Sequence, residues 1–199
     1  MARIDHLDLK IVSELRKNGR ASISELANET GVSRQTIATR LKRLYDENYV
    51  RVAGGLNLVK LGYEMATVGL EVRSDEVGDE LMNLMQVCPR VLTIFKAQGK
   101  KDLQVSMWGE SQKSIDSTIE SFKDFQGVTV VSTHYLGKPI HGSVSFTIDP
   151  KDITVSPCGK DCSRCLSYTN SECPGCPDTS HYRNPAIKKP AKRIRNFWY

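Results

Sequence analysis

The stretch SISELANETGVSRQTIATRLKRL, residues 22–44, decides how this chain is read. It contains two helical segments separated by a glycine. Ser22 followed by Glu25 fits a capping box: the hydroxyl takes the amide three residues on, and the carboxylate reaches back to the serine amide. Ile23, Leu26 and Ala27 give the first segment a short apolar face. Gly31, after Thr30, supplies the positive φ that commonly ends a helix. The second segment starts at Ser33, a good N-cap. Ile37, Leu41 and Leu44 repeat at spacings of four and three, which predicts one buried stripe. Off that stripe lie Arg34, Gln35, Thr36, Thr39, Arg40, Lys42 and Arg43, none of them acidic. Upstream, Leu7, Ile11 and Leu15 predict another helix, ended by Asn18-Gly19.

A short helix, a glycine turn and a second helix with a basic, amide-rich outer face form the pattern of a helix-turn-helix. The chemistry suits double-stranded DNA. Arginine pairs with the O6 and N7 of guanine, and glutamine with N6 and N7 of adenine. The start of such a helix enters the groove first, which points to Arg34, Gln35 and Thr36 for base edges. Arg40 and Arg43 lie one and two turns on and are assigned to phosphates. With Ser33 and Thr39 these make the candidate DNA-binding set. The plainer alternative is a three-helix bundle with a solvated basic face.

Charge supports the division of labour. The chain of 199 residues carries a net +5, distributed as +4 over residues 1–60, −4 over 61–150 and +5 over 151–199. Basic ends suit a polyanion, and the acidic middle should do something else. The N-terminus MARIDHLDLK lacks the apolar core of a signal peptide, and no apolar run approaches the roughly 18 residues needed to span a bilayer. These features predict a cytoplasmic protein with no membrane partner.

Beyond the extended linker at 51–63, the periodicity changes. EMATVGLEVR reads as a strand. Ser74-Asp75 opens a helix with Val77, Leu81, Leu84 and Met85 on one face, ended by Pro89. RVLTIFKAQ and DLQVSMWG read as strands joined through Gly99-Lys100-Lys101. A helix with Ile115, Ile119 and Phe122 on one side follows, ended by Gly127, and VTVVSTHYL is the last strand. The order βαββαβ predicts a ferredoxin-like sandwich with helices on one face of its sheet. The other face needs a cover, and a second copy of the same sheet is the simplest one. The expected class is α+β, with a helix-turn-helix over 1–50, the sandwich over 64–150 and a small metal-stapled knuckle over 151–199.

From about Ile4 to Ile148 the chain resembles the Lrp/AsnC family, the feast/famine transcriptional regulators of bacteria and archaea. The matching residues are IDHLDLKIVSELRKNGRASISELANETGVSRQTIATRLKRLYDENYV, the linker ending KLGYE, and the sandwich with GKKDL. The family carries a Gly-x-x-Asp pattern in the hairpin between the second and third sandwich strands, and Gly99 and Asp102 occupy it. The resemblance implies an effector pocket near that hairpin, often for an amino acid, and a homodimer or higher homo-oligomer that binds palindromic half-sites. The two lysines inside the loop depart from what a neutral amino acid would favour. A simple turn also explains Gly99 and Asp102.

The resemblance stops near Asp149-Pro150, and five of the six cysteines follow it. Cys162-x-x-Cys165 and Cys173-x-x-Cys176 are two chelating pairs seven residues apart, the spacing of a tetrahedral zinc site. The tail has few large apolar residues and cannot build a core of its own, and below about 40 residues a fold usually needs such a staple. Cys158 is a fifth candidate ligand and His181 a sixth. Zn²⁺ is the leading expectation. An iron–sulfur cluster on Cys158-x-x-x-Cys162-x-x-Cys165 and a later cysteine is the alternative, followed by metal-free redox thiols or copper. A disulfide framework does not suit the compartment. The string also resembles a small prokaryotic cysteine-rich domain with a CGxxCxxC…CxGCP pattern. Cys88 reads as a small buried hydrophobe at a helix end. The site is either structural, holding Lys188, Lys189, Lys192, Arg193 and Arg195 for phosphate contacts, or sensory through thiol oxidation.

No phosphate loop, GxSxG or HExxH is present, so the chain reads as a regulator rather than an enzyme. Two other functions remain open. One is an enzyme on the same two-domain plan, like the related haem-biosynthesis decarboxylases. The other is a metal- or small-molecule-binding module.

Overall fold

The structure is a computed structural model and describes residues 4–97, 102–149 and 151–186. Its contacts divide the chain at Gly54/Gly55 into two compact units, each described by itself.

The first unit has three helices: α1 (His6–Lys17), α2 (Ile23–Thr30) and α3 (Arg34–Asp46). Their starts follow the expected chemistry. Ser22 accepts from the amide of Glu25 at 3.2 Å, and Glu25 accepts from the amide of Ser22 at 2.7 Å. Gly31 takes φ 76°, and Ser33 caps α3 by accepting from the Thr36 amide. A second capping box, not anticipated, starts α1. Asp5 accepts from the amides of Leu7 and Asp8, and Asp8 accepts from the amide of Asp5. The apolar stripes meet in one core of Ile11, Leu15, Leu26, Ala27, Ile37 and Leu44, with half-buried Leu41 and Val50 packed on it. Each fully buried Leu or Ile contributes about 1.5–3 kcal/mol relative to exposure.

In the second unit, β2 (Glu64–Val72), β3 (Val91–Lys96), β4 (Asp102–Gly109) and β5 (Val128–Leu136) form an antiparallel sheet in the order β3-β4-β2-β5. Helices α4 (Asp75–Gln86) and α5 (Gln112–Lys123) complete the βαββαβ order. The registers Val68↔Val105 and Leu70↔Leu103 put alternate residues on one face. Ala66, Val68, Leu70, Val72, Leu103, Val105 and Met107 meet Leu81, Met85, Ile115, Ile119 and Phe122 of the helices. This is the expected ferredoxin-like sandwich. The opposite face carries Thr67, Gly69, Gln104 and Ser106, with Phe95 (63% exposed) beside them.

Two elements depart from the sequence reading. Inside the expected linker, β1 (Leu56–Asn57) pairs antiparallel with β6 (Ser145–Phe146). Leu58 and Tyr63 then bury against Trp108 and Phe146, with the Tyr63 and Trp108 rings stacked at 5.5 Å and 7°. Local periodicity could not reveal a pairing across almost ninety residues. The second departure is the tail. It does not fold around itself alone. Residues 151–186 belong to the same compact unit as the sandwich and pack on it.

Candidate functional site: a reading helix and a thiol-lined cavity

Helix α3 presents Arg34, Gln35 and Thr39 to solvent at its N-terminal half. The Thr39 hydroxyl donates to the Gln35 carbonyl at 3.0 Å, and Thr36 is half-buried with its hydroxyl 2.8 Å from that of the cap Ser33. Thr36 therefore serves the cap, while Arg34 and Gln35 face outward.

Arg40 and Arg43, expected from the sequence to meet phosphates, pair with carboxylates at the start of α1. Arg40 donates to Asp5 and, at 3.3 Å, to Asp8; Arg43 donates to Asp8. Asp8 is fully buried, and a buried carboxylate requires paired donors. Both guanidinium groups are thus turned to the start of α1. The Asp8 amide and Arg40 hold the Asp5 carboxyl down to about 2. The sequence signal was the aspartate pair at 5 and 8, a capping box that also supplies two counter-charges.

In the second unit, the tail begins with a turn from Ser156 to Lys160. The Ser156 hydroxyl accepts from the Lys160 amide at 3.0 Å and lies 3.0 Å from Cys158 Sγ. A 3₁₀ turn (Cys162–Arg164) and the short helix α6 (Leu166–Thr169) follow. The Cys176 amide donates to Cys162 Sγ at 3.4 Å, which ties the two CxxC pairs together. Gly175 has φ 98°, and a Cβ there would stand 3.1 Å from the Tyr168 ring and 3.2 Å from the His181 carbonyl oxygen. Only glycine suits both demands.

The CxxC turn is held on the sandwich by a buried polar cluster. Arg90, just before β3, donates to Glu110 at 2.6 Å and to the Gly175 carbonyl at 2.8 Å. Arg90 and Glu110 are 4% and 3% exposed, so the ion pair is dry. Tyr182 donates to the other Glu110 oxygen at 2.5 Å, and Tyr63 donates to Asn184. Burial, and then Glu110, push the Tyr182 hydroxyl far above its ordinary range. Exposed pairs Lys113–Glu172 and Lys160–Asp124 flank the contact on α5.

Between tail and sandwich lies a cavity of about 70 Å³. Its lining includes all six cysteines of the chain: Cys88, Cys158, Cys162, Cys165, Cys173 and Cys176. The five expected ligands are therefore brought together. His181 does not line the cavity; its carbonyl accepts from Tyr168 and its ring packs edge-on against that residue. Cys88, read from the sequence as a small buried hydrophobe at a helix end, lines the cavity as well. All six cysteines are free thiols. Burial pushes up the thiols of Cys88 and Cys162, and that of Cys176 to about 12. Among the described residues no three His, Cys, Asp or Glu side chains stand at the separations of a closed metal site. The donor set is soft and of the kind zinc and iron–sulfur clusters take, but the thiols line the space without converging on one point.

A further cavity of about 460 Å³ lies beside the edge strand β3, lined by Met82, Met85 and Gln86 of α4 and by Val91, Thr93, Ile94 and Lys96. Of the expected effector residues, Gly99 lies outside the described residues, and Asp102 opens β4 opposite Glu71. The basic residues from Lys188 onward also lie outside them. No described helix is long and apolar enough to cross a membrane.

A family model for winged helix-turn-helix DNA-binding domains matches residues 4–51. The HTH-type transcriptional regulator Ptr1 of Methanocaldococcus jannaschii is 30% identical over 50% of this chain and 68% of its own length. Two solved structures share the fold. A Neisseria meningitidis transcriptional regulator in complex with L-methionine has TM-score 0.62 and 22% identity, over 74% of this chain and 98% of that one. Escherichia coli AsnC has TM-score 0.60 and 21% identity, over 72% and 99%. The chain belongs to the HTH-type transcriptional regulators, and its βαββαβ sandwich shares the fold of the AsnC structure.

Proposed function

We propose that this regulator reads an operator through Arg34, Gln35 and Thr39, and that Ser33 and Thr36 hold the start of α3 in position. The observation that carries this is the outward, unshielded placement of Arg34 and Gln35 beside a satisfied cap. Arg40 and Arg43 fix α3 on α1 and act on DNA through its position. Two copies, joined through the open sheet face around Phe95, would present two reading helices to a palindromic site. An amino acid is the proposed effector, in line with the L-methionine complex of the Neisseria neighbour. The β3–β4 side of the sandwich, with Asp102 and the neighbouring cavity, is its proposed place.

The thiol cavity adds a second input. We propose that it binds Zn²⁺ through tail cysteines, with thiolates drawn inward by the metal. Metal or thiol state would then set how the tail sits on the effector domain. Iron with sulfide in the purified protein would replace zinc by a cluster.

The test of DNA reading uses a duplex selected by the full chain from a random library. Arg34→Ala should weaken binding by about 1–3 kcal/mol and relax preference at one base position. Binding should also fall steeply with salt. Unchanged sequence preference in both Arg34→Ala and Gln35→Ala would overturn the assignment.

A further inference from the structure

We infer that Cys88 is a ligand of the tail's thiol site, contributed by the sandwich, so that bound metal bridges sandwich and tail. The inference rests on the zinc reading of the cavity and extends it from the tail to the effector domain.

Four observations converge. First, Cys88 lines the same cavity as the five tail cysteines. Second, the segment that carries it is fixed. The Cys88 amide donates to Met85 at the end of α4, and the carbonyls of Cys88, Pro89 and Arg90 accept from Val91, the Trp108 indole and the Trp108 amide. Third, the same segment clamps the opposing CxxC turn, because Arg90 donates to the carbonyl of Gly175, between Cys173 and Cys176. The contact places Cys88 beside that pair through a buried cation that cannot move without stranding Glu110. Fourth, the lining is sulfur-rich, with six cysteines among its fifteen residues. Ser117, Thr118 and Ser121 of α5 and Ser156 line it with the thiols.

The volume allows it. A space of about 70 Å³ exceeds the ~10–15 Å³ needed for one water-sized sphere, so it has room for metal and for thiolate movement. A single tetrahedral ion takes four of the six thiolates. With Cys88 among the ligands, its release would free the tail from α4. The Arg90–Glu110 pair would then lose the Gly175 and Tyr182 groups that complete it. Metal occupancy would thereby act on the domain proposed to bind effector and partner subunit.

The test uses the full chain, freed of metal under reducing conditions and titrated with Co²⁺ and then Zn²⁺. Wild type should show the thiolate-to-cobalt absorption and visible bands of a tetrahedral thiolate site. Cys88→Val keeps an apolar side chain, and Cys88→Ser keeps the size. Both should bind at least ~100-fold more weakly, beyond the ~10–100-fold typical of losing a supporting residue, and both should show reduced charge-transfer intensity per cobalt. Chelation of wild type should speed protease cleavage within residues 151–186. If wild type binds and Cys88→Val matches it in affinity and intensity, Cys88 is a packing residue and this inference falls alone. If wild type binds neither ion, this inference and the zinc reading fall together.

Discussion

The reading helix and the thiol cavity each depend on a few polar side chains, but they are specified over different distances along the chain. Helix α3 is set by neighbours: Ser33 at its start, Gly31 before it, and an apolar stripe every three or four residues. The cavity is set by residues up to 88 positions apart, with Cys88 and Arg90 on one side and Gly175 and Cys176 on the other. Local rules suffice for the first. The second exists only because β3, β4 and α5 form a surface on which the tail can dock. The comparison teaches that a cysteine motif can be legible while the cavity it lines is not.

The comparison can be broken at its long-range end. Glu110→Ala leaves Arg90 buried without its carboxylate. It should destabilise the unit of residues 55–199 by about 3–5 kcal/mol, read by chemical denaturation, with the helix-turn-helix unit unaffected. A loss below about 1 kcal/mol would mean that this pair does not hold the tail.

The corresponding change at the short-range end is Asp8→Ala. It removes the acceptor of Arg43 and one acceptor of Arg40, whose side chains are about 30% exposed and can reach water. The expected cost is smaller, about 1.5–3 kcal/mol, confined to the first unit. DNA affinity should fall with it even though Asp8 touches no DNA, because α3 loses its anchor. Equal DNA affinity at full folding would show that Arg40 and Arg43 do not need α1 for their role.

Acid sharpens the same contrast with the smallest effect. The Asp5 carboxyl is lower in the folded state, about 2, than the roughly 3.9 of an unfolded aspartate. Its contribution is fully present above about pH 4 and is lost as pH falls toward 2. Circular dichroism of the helix-turn-helix unit should show that loss, flattened in Asp5→Asn, which still caps the helix. The same profile in both would remove Asp5 from the account.

Much of the fold was readable for a physical reason. The four sandwich strands and five long helices follow period-two or period-3.6 patterns bounded by Ser, Gly and Pro, and the structure places them as expected. The β1–β6 pair was not readable, because two-residue strands carry no period and their partner is remote. The ion pairs of Arg40 and Arg43 were not readable, because a basic helix face shows no sign of a buried aspartate on another helix. Cys88 was read as a small buried hydrophobe, and its place in the cavity was not readable because the other lining cysteines lie seventy or more residues away. Trp108, Tyr63 and Phe146 form a ring cluster that only the tertiary structure assembles.

The most direct measurement is native mass spectrometry of the full chain purified without air. The account predicts a chain carrying zinc, returned to its polypeptide mass by a chelator, with the tail then open to protease. A chain that runs at its polypeptide mass from the start, its six thiols carrying nothing, would contradict a metal-bridged tail.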